Sequence, residues 1–191
     1  MQRWAKLGVV AVALLSGCAG VAGQTGEQEI AGLLQSLGGA AQRGEVGTVE
    51  GYLYLMQPAV PTPLKDWQVT LVPLTPTLEG AINRAKQQFT AHGRVPLSAS
   101  ELDLARRPIT DYIRALEATG HTELIRTVKT ESGPDPKFTF QDVPQGRWLL
   151  LAGLPSKLSV LLWAVPVAVN TGKTTQQSLN DSSVWVEGLT P

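Results

Sequence analysis

With 191 residues, 16 basic and 16 acidic side chains and 43% hydrophobic residues, the chain is long enough for one sizeable core, burying roughly 70% of its unfolded surface. The absence of a basic excess excludes a nucleic-acid partner held by charge. A single cysteine excludes an internal disulfide and a cysteine-rich metal site.

The N-terminus reads as a targeting segment. Met1-Gln2-Arg3-Trp4-Ala5-Lys6 places two positive charges before an apolar run from Leu7 to Leu15. That run falls short of the about 20 residues a spanning helix needs, but it suits a secretory signal. Leu15-Ser16-Gly17-Cys18 resembles the bacterial lipobox, which implies that Cys18 receives a diacylglyceryl group and becomes the mature N-terminus. An ordinary signal peptide with a chance cysteine, or an N-terminal anchor, are the alternatives. Cleavage before Cys18 removes residues 1–17, among them Arg3 and Lys6, and leaves 174 residues with 14 basic and 16 acidic side chains. Ala19 resembles the residue after the lipidated cysteine of outer-membrane lipoproteins. The expected location is the bacterial cell envelope, lipid-anchored, at the periplasmic side of the outer membrane where a cell has two membranes.

Residues 18–45 read as a tether. Ala19 to Thr25 is small and Gly-rich, a flexible composition. Ile30, Leu33, Leu34 and Leu37 predict a short amphipathic helix over 27–42, interrupted at Gly38-Gly39.

Residues 46–191 read as one β domain. Thr48 to Leu55 alternates as a strand ended by Pro58, Pro61 and Pro63, and Trp67 to Leu71 alternates again before Pro73. The period then changes. Leu78, Ile82, Ala85 and Phe89 form a helical stripe that His92-Gly93 closes. Ser100-Glu101-Leu102-Asp103 caps a second helix, and Pro108 opens a third that ends at Gly120. This insertion, about 77–120, reads either as a cover for an open sheet edge or as a docking face. Strand character returns over 122–130. Ser159 to Val169 is an apolar run broken by Pro166, suited to a strand covered on both faces, and Thr174 to Val186 supplies the last strand.

The most structured stretch is 127–153. Lys137-Phe138-Thr139-Phe140-Gln141 alternates so that both rings share one face, Asp142-Val143-Pro144-Gln145-Gly146 supplies turn chemistry, and Arg147 to Ala152 resumes with Trp148 and Leu150 on one face. Thr130-Glu131-Ser132-Gly133 followed by Lys137 to Trp148 resembles the T-D-x-x-G-x-F-x-F-x-D-V-P-x-G-x-Y pattern of carboxypeptidase regulatory-like domains. Val49-Glu50-Gly51 and Val69-Thr70-Leu71 fit the first two strands of that family. The resemblance implies a transthyretin-like (prealbumin-like) sandwich and a non-catalytic accessory or binding role, with no catalytic residue to transfer. Pro134-Asp135-Pro136 and the long insertion depart from the pattern.

Motifs for chemistry are sparse. Gly172-Lys173-Thr174 lacks the P-loop glycine, Val167 standing in its place. His92 and His121 flank the insertion and are read as exposed helix-end residues rather than metal ligands. No Gly-x-Ser-x-Gly elbow occurs, and no paired-carboxylate signature marks a glycosidase.

The expectation is therefore a mainly β protein: an Ig-like or prealbumin-like antiparallel sandwich of about seven strands with a helical insertion, not an enzyme, without metal or cofactor. The leading role is a membrane-anchored binding or structural module for a protein partner, docked through Lys86, Phe89, Arg106, Arg107 and Tyr112. The alternative is a carbohydrate or cell-wall-glycan binder that stacks sugars on Trp67 and Trp185, while Trp148 and Trp163 pack the core.

Overall fold

The computed structural model describes residues 21–189, apart from 58–59, 91–95, 134 and 156–158. Cys18 and His92 lie outside the described residues. Three helices, α1 (Val21–Gln42), α2 (Pro76–Thr90) and α3 (Ala99–Ala118), accompany ten described strands. A small sheet has the order β6 (Lys137–Pro144), β1 (Val46–Tyr52), β9 (Thr174–Gln176). A larger one runs β10 (Val184–Leu189), β8 (Ser159–Val169), β7 (Gly146–Pro155), β4 (Gln68–Pro73), β5 (Arg126–Lys129). A ribbon of β2 (Tyr54–Gln57) and β3 (Val60–Pro63) stands apart. Pairing is antiparallel except where β9 joins β1. The protein is a β-sandwich.

Alternation fills the space between the sheets. Phe138 and Phe140 of β6 point inward and meet edge to face, their centroids 6.1 Å apart and their planes at 62°. Val49 of β1, Val69 and Leu71 of β4, and Trp148 and Leu150 of β7 close around them. The β6 ladder slips once: Gly47 and Val49 pair with Val143 and Phe140, so β6 carries an extra residue. Asp142 takes up that bulge at φ 51°. The Arg126 guanidinium donates to the carbonyls of Gln141 (2.6 Å) and Asp142 (3.1 Å), joining the edge of the larger sheet to the bulge.

A second core lies on the other face of the larger sheet. Leu149 on β7, Val72 on β4 and Trp185 and Val186 on β10 meet Leu78 and Ile82 of α2 and Leu102, Ala105, Ile109 and Leu116 of α3. Strand β7 is thus apolar on both sides, which is why Trp148 to Leu151 reads as a run rather than an alternation. The insertion covers a sheet face. It also reaches the β10 edge by backbone hydrogen bonds at Leu97, whose N–H donates to Glu187 O (2.8 Å) and whose carbonyl accepts from Leu189 N–H (2.7 Å).

Several local expectations are corrected by packing. Gly38-Gly39 does not interrupt α1, because Leu37 is 1% exposed and Ala40 is buried with it; that burial outweighs the roughly 1 kcal/mol each helical glycine costs. Leu37 rests on Gly146, where its Cδ2 lies 2.9 Å from the position a Cβ would occupy. The second and third predicted helices are one, with Pro108 inside α3. The stripe Leu102, Ala105, Ile109, Tyr112, Leu116 is buried along its length and carries the helix through the missing N–H. Its cap is Ser98, whose hydroxyl accepts from Glu101 N–H in a capping box. Gly120 (φ 78°) ends it, the N–H groups of Gly120 and His121 returning to Glu117 and Leu116.

The strand expected over 48–55 divides at buried Leu53 into β1 and β2, and Pro61 and Pro63 lie inside β3 rather than beyond a strand. In an isolated ribbon both strands have an open side, where a missing N–H costs no ladder bond. Pro166 is carried within β8 for the same reason, since β10 pairs with β8 only as far as Trp163. The stretch 174–186 is two elements, β9 in the small sheet and β10 in the large one, with a 3-10 turn (Asp181–Ser183) between them.

Candidate functional site

Helices α2 and α3 leave part of the larger sheet's outer face uncovered. Strand β4 turns Val69 and Leu71 into the sandwich, so Gln68 and Thr70 emerge on the outer face. Opposite them in register stand Lys129 and Thr127 of β5, the two threonine hydroxyls 3.2 Å apart. On the other side α3 presents Arg106, Ile109, Thr110 and Ile113, one stripe at helical spacing. Between helix and strands lies a groove of about 530 Å³, within the range of small-ligand sites. Its floor is Leu151 and Gly153 of β7 with Leu162 of β8; Trp185 closes its inner wall, and Asp66 and Trp67 its end.

Trp67 is fixed by its surroundings. Its indole N–H donates to Gly153 O at 2.7 Å, and its backbone N–H donates to Thr130 Oγ1 at 2.9 Å. The same hydroxyl donates to Leu64 O at 2.7 Å, and Thr130 N–H bonds Trp67 O at 2.8 Å. Thr130, a buried polar residue, thus holds the 64–67 loop closed. Two residues on, Ser132 Oγ donates to Asp66 Oδ1 at 2.6 Å, with Asp66 in the left-handed region at φ 57°. The polar start of the Thr130–Gly133 motif therefore acts as a clamp for the groove's tryptophan.

The sequence-predicted residues divide into two sets. Trp67, Trp185 and Arg106 are brought together at this groove. Trp67 is half-buried, lines the groove and packs against the sandwich core, whereas Trp185 is 4% exposed and belongs to the core beneath the helices, so it offers no free ring face for stacking. The Trp185 Nε1 has no hydrogen-bond partner among the described residues. Arg106 pairs with Asp103 at 2.5 Å on the exposed side of α3.

The expected docking residues do not share one surface. Tyr112 is 8% exposed, and Phe89 packs partly buried against the same core, since both continue the apolar stripes of their helices. Lys86, Arg106 and Arg107 are exposed. The Tyr112 hydroxyl is buried without a partner among the described residues, and burial, with the Glu29 charge second, pushes its ionisation well above the ordinary phenol range.

The core tryptophans are satisfied. Trp148 donates to Pro144 O at 2.9 Å and Trp163 to Asn180 O at 2.8 Å. His121 Nδ1 lies 3.3 Å from Glu123 Oε1 at the surface. Among the described residues no three His, Cys, Asp or Glu side chains are grouped to hold a metal ion.

Sequence reasoning missed Asp66, Gln68, Thr70, Thr110 and Lys129. The signal for two of them was present in the β4 alternation, which assigns Gln68 and Thr70 to one face. Nothing in the sequence says that α3 stops short of covering that face.

No protein family and no curated protein matches the chain. Among solved structures it is similar to a proposed carbohydrate-binding protein from Pseudomonas aeruginosa, with 16% identity, a TM-score of 0.44, and coverage of 81% of this chain and 95% of the other. It is also similar to the minor pilin GBS52 of Streptococcus agalactiae (10% identity, TM-score 0.39, 77% of this chain and 46% of that one). A third similar structure is the pilus backbone of Streptococcus pneumoniae (10% identity, TM-score 0.31, 70% and 41%).

Proposed function

We propose that this protein is a non-enzymatic binding module of the bacterial cell envelope, lipid-anchored through Cys18, that takes a saccharide in the groove between α3 and the outer face of β4 and β5. The observation that carries the reading is the clamped Trp67 at the end of a groove of about 530 Å³. Sugar recognition needs a rigid aromatic surface for C–H faces and hydroxyl or amide partners for the ring oxygens. Here Trp67 supplies the first, and Gln68, Thr70 and Thr110 the second. The Thr130–Trp148 stretch supports reading the domain as a carboxypeptidase regulatory-like module, and Leu15-Ser16-Gly17-Cys18 supports the anchor.

Titration of the full chain in mild detergent with a panel of oligosaccharides tests the site, read by tryptophan fluorescence and calorimetry. Binding that disappears in Trp67→Ala supports it; binding that survives places the sugar elsewhere, and no heat with any member of the panel refutes it. For the anchor, Cys18→Ala releases the protein from the membrane fraction, and retention of that variant refutes lipidation.

A second reading, a protein partner at the insertion, draws support from Leu104, a large apolar side chain left 48% exposed on α3 three residues from Arg107. Cross-linking in cells, with and without Leu104→Glu, tests it: a partner lost in the variant supports this reading, and an unchanged set of partners refutes it.

A further inference from the structure

The groove's walls are unlike in charge from its end. Arg106 projects from the helix wall and Lys129 from the sheet wall, so cations flank the groove on both sides. The one carboxylate among its lining residues, Asp66, sits at the Trp67 end and is already engaged by the Ser132 hydroxyl at 2.6 Å. The Arg106–Asp103 pair is more than half exposed on both members, and such a surface pair is weak enough to exchange one partner for another. Arg106 also retains further N–H donors beyond the one directed at Asp103.

A ligand that bears a negative charge midway along its length meets both cations.

We infer that the saccharide taken by this groove is acidic, a uronic-acid-type oligosaccharide whose carboxylate lies between Arg106 and Lys129. This rests on the reading of the groove as a saccharide site and adds the chemical class of the sugar. Specificity follows from the charge pair: a neutral sugar of the same linkage keeps the Trp67 contact and forgoes both charge-assisted hydrogen bonds.

The test compares trigalacturonic acid with its carboxyl-reduced, neutral counterpart by calorimetry on the full chain in mild detergent. The acid is expected to bind at least tenfold more tightly, with the advantage shrinking in 1 M salt, where screening acts within about 3 Å. Arg106→Gln and Lys129→Gln each reduce that advantage with little change in melting midpoint, both side chains being exposed. Equal affinity for the two sugars, or an advantage that persists in the double variant Arg106→Gln/Lys129→Gln, overturns the acidic assignment and leaves a neutral-saccharide site standing. Binding of neither sugar overturns the inference, and if the wider panel is also silent the saccharide reading falls with it.

Discussion

The indole N–H of Trp67 donates to the carbonyl of Gly153 at 2.7 Å, across 86 residues of chain. This bond ties the loop before β4 to the far end of β7 and fixes the ring at the end of the groove. A fixed aromatic loses little conformational freedom when a ligand stacks on it. Trp67→Ala is expected to lower saccharide affinity at least tenfold, about 1.4 kcal/mol, while the protein remains folded. Trp67→Phe keeps a ring but leaves Gly153 O without this donor, so its affinity should fall between the two. Calorimetry beside a melting curve separates binding from stability.

Phe140→Ala should destabilise the domain by about 3–5 kcal/mol. The ring is 2% exposed and packs edge to face on Phe138 in the sandwich core. Denaturant unfolding of the variant measures the loss, and a change below 1 kcal/mol would show that the core accommodates its absence.

Gly51 is indispensable for a different reason. A Cβ there would collide with the backbone carbonyl of Gln177, on the segment that follows β9. That segment is held in place by Gln177 N–H donating to Glu50 O at 2.8 Å. Gly51→Ala is expected to cost about 1–3 kcal/mol, as overpacking does, and to weaken amide protection in β9 before that in the larger sheet, as read by hydrogen exchange.

Tyr112 makes the fold sensitive to alkali. Its pKa is raised in the folded state by burial first and by Glu29 second, so the folded chain holds the proton more tightly than the unfolded one. The stability this contributes is complete below the ordinary phenol value of 10.0 and is lost as pH rises beyond it. Tyr112→Phe should flatten that alkaline decline in melting midpoint. At pH 7 it should leave stability unchanged or raise it by up to about 1 kcal/mol, because it removes a buried hydroxyl that lacks a partner.

Arg147 and Glu79 meet through two hydrogen bonds of 2.6 Å, pinning the start of β7 to α2. The guanidinium hydrogen bonds hold the Glu79 carboxyl below the usual carboxylate range against an opposing effect of burial. The pair therefore stabilises the fold above the unfolded glutamate value of about 4.5, and its contribution disappears as pH falls through the lower folded value. With Arg147 more than half exposed, Glu79→Gln should cost no more than about 1 kcal/mol at pH 7. The difference between variant and parent should vanish in acid, as melting curves from pH 7 to 3 would show.

The sequence by itself determined the sandwich and the strand–turn–strand stretch at its centre, though not that β6 and β7 enter different sheets instead of pairing as a hairpin. Period-two alternation at Phe138 and Phe140, turn residues at 142–146 and the apolar run of β7 are local signals, and each is satisfied locally once a sheet forms. The amphipathic stripes of α2 and α3 were legible on the same ground, from Leu78, Ile82 and Ala85 and from Ile109 and Leu116.

What the tertiary structure alone decided are the places where burial overrode a local signal, and the site itself. Gly38-Gly39 and Pro108 read as helix breaks, yet Leu37 and the Leu102–Leu116 stripe bury enough apolar surface to carry α1 and α3 through them. Tyr112 and Trp185 read as available surface, but both are required to fill the core between the helices and the larger sheet. The groove exists because α3 crosses that sheet without reaching β4's Gln68 and Thr70 or β5's Lys129, and because Thr130 locks Trp67 beside them. Such a gap is a property of how two elements distant in sequence pack, set by volume and shape across the interface, and no periodicity in either element encodes it.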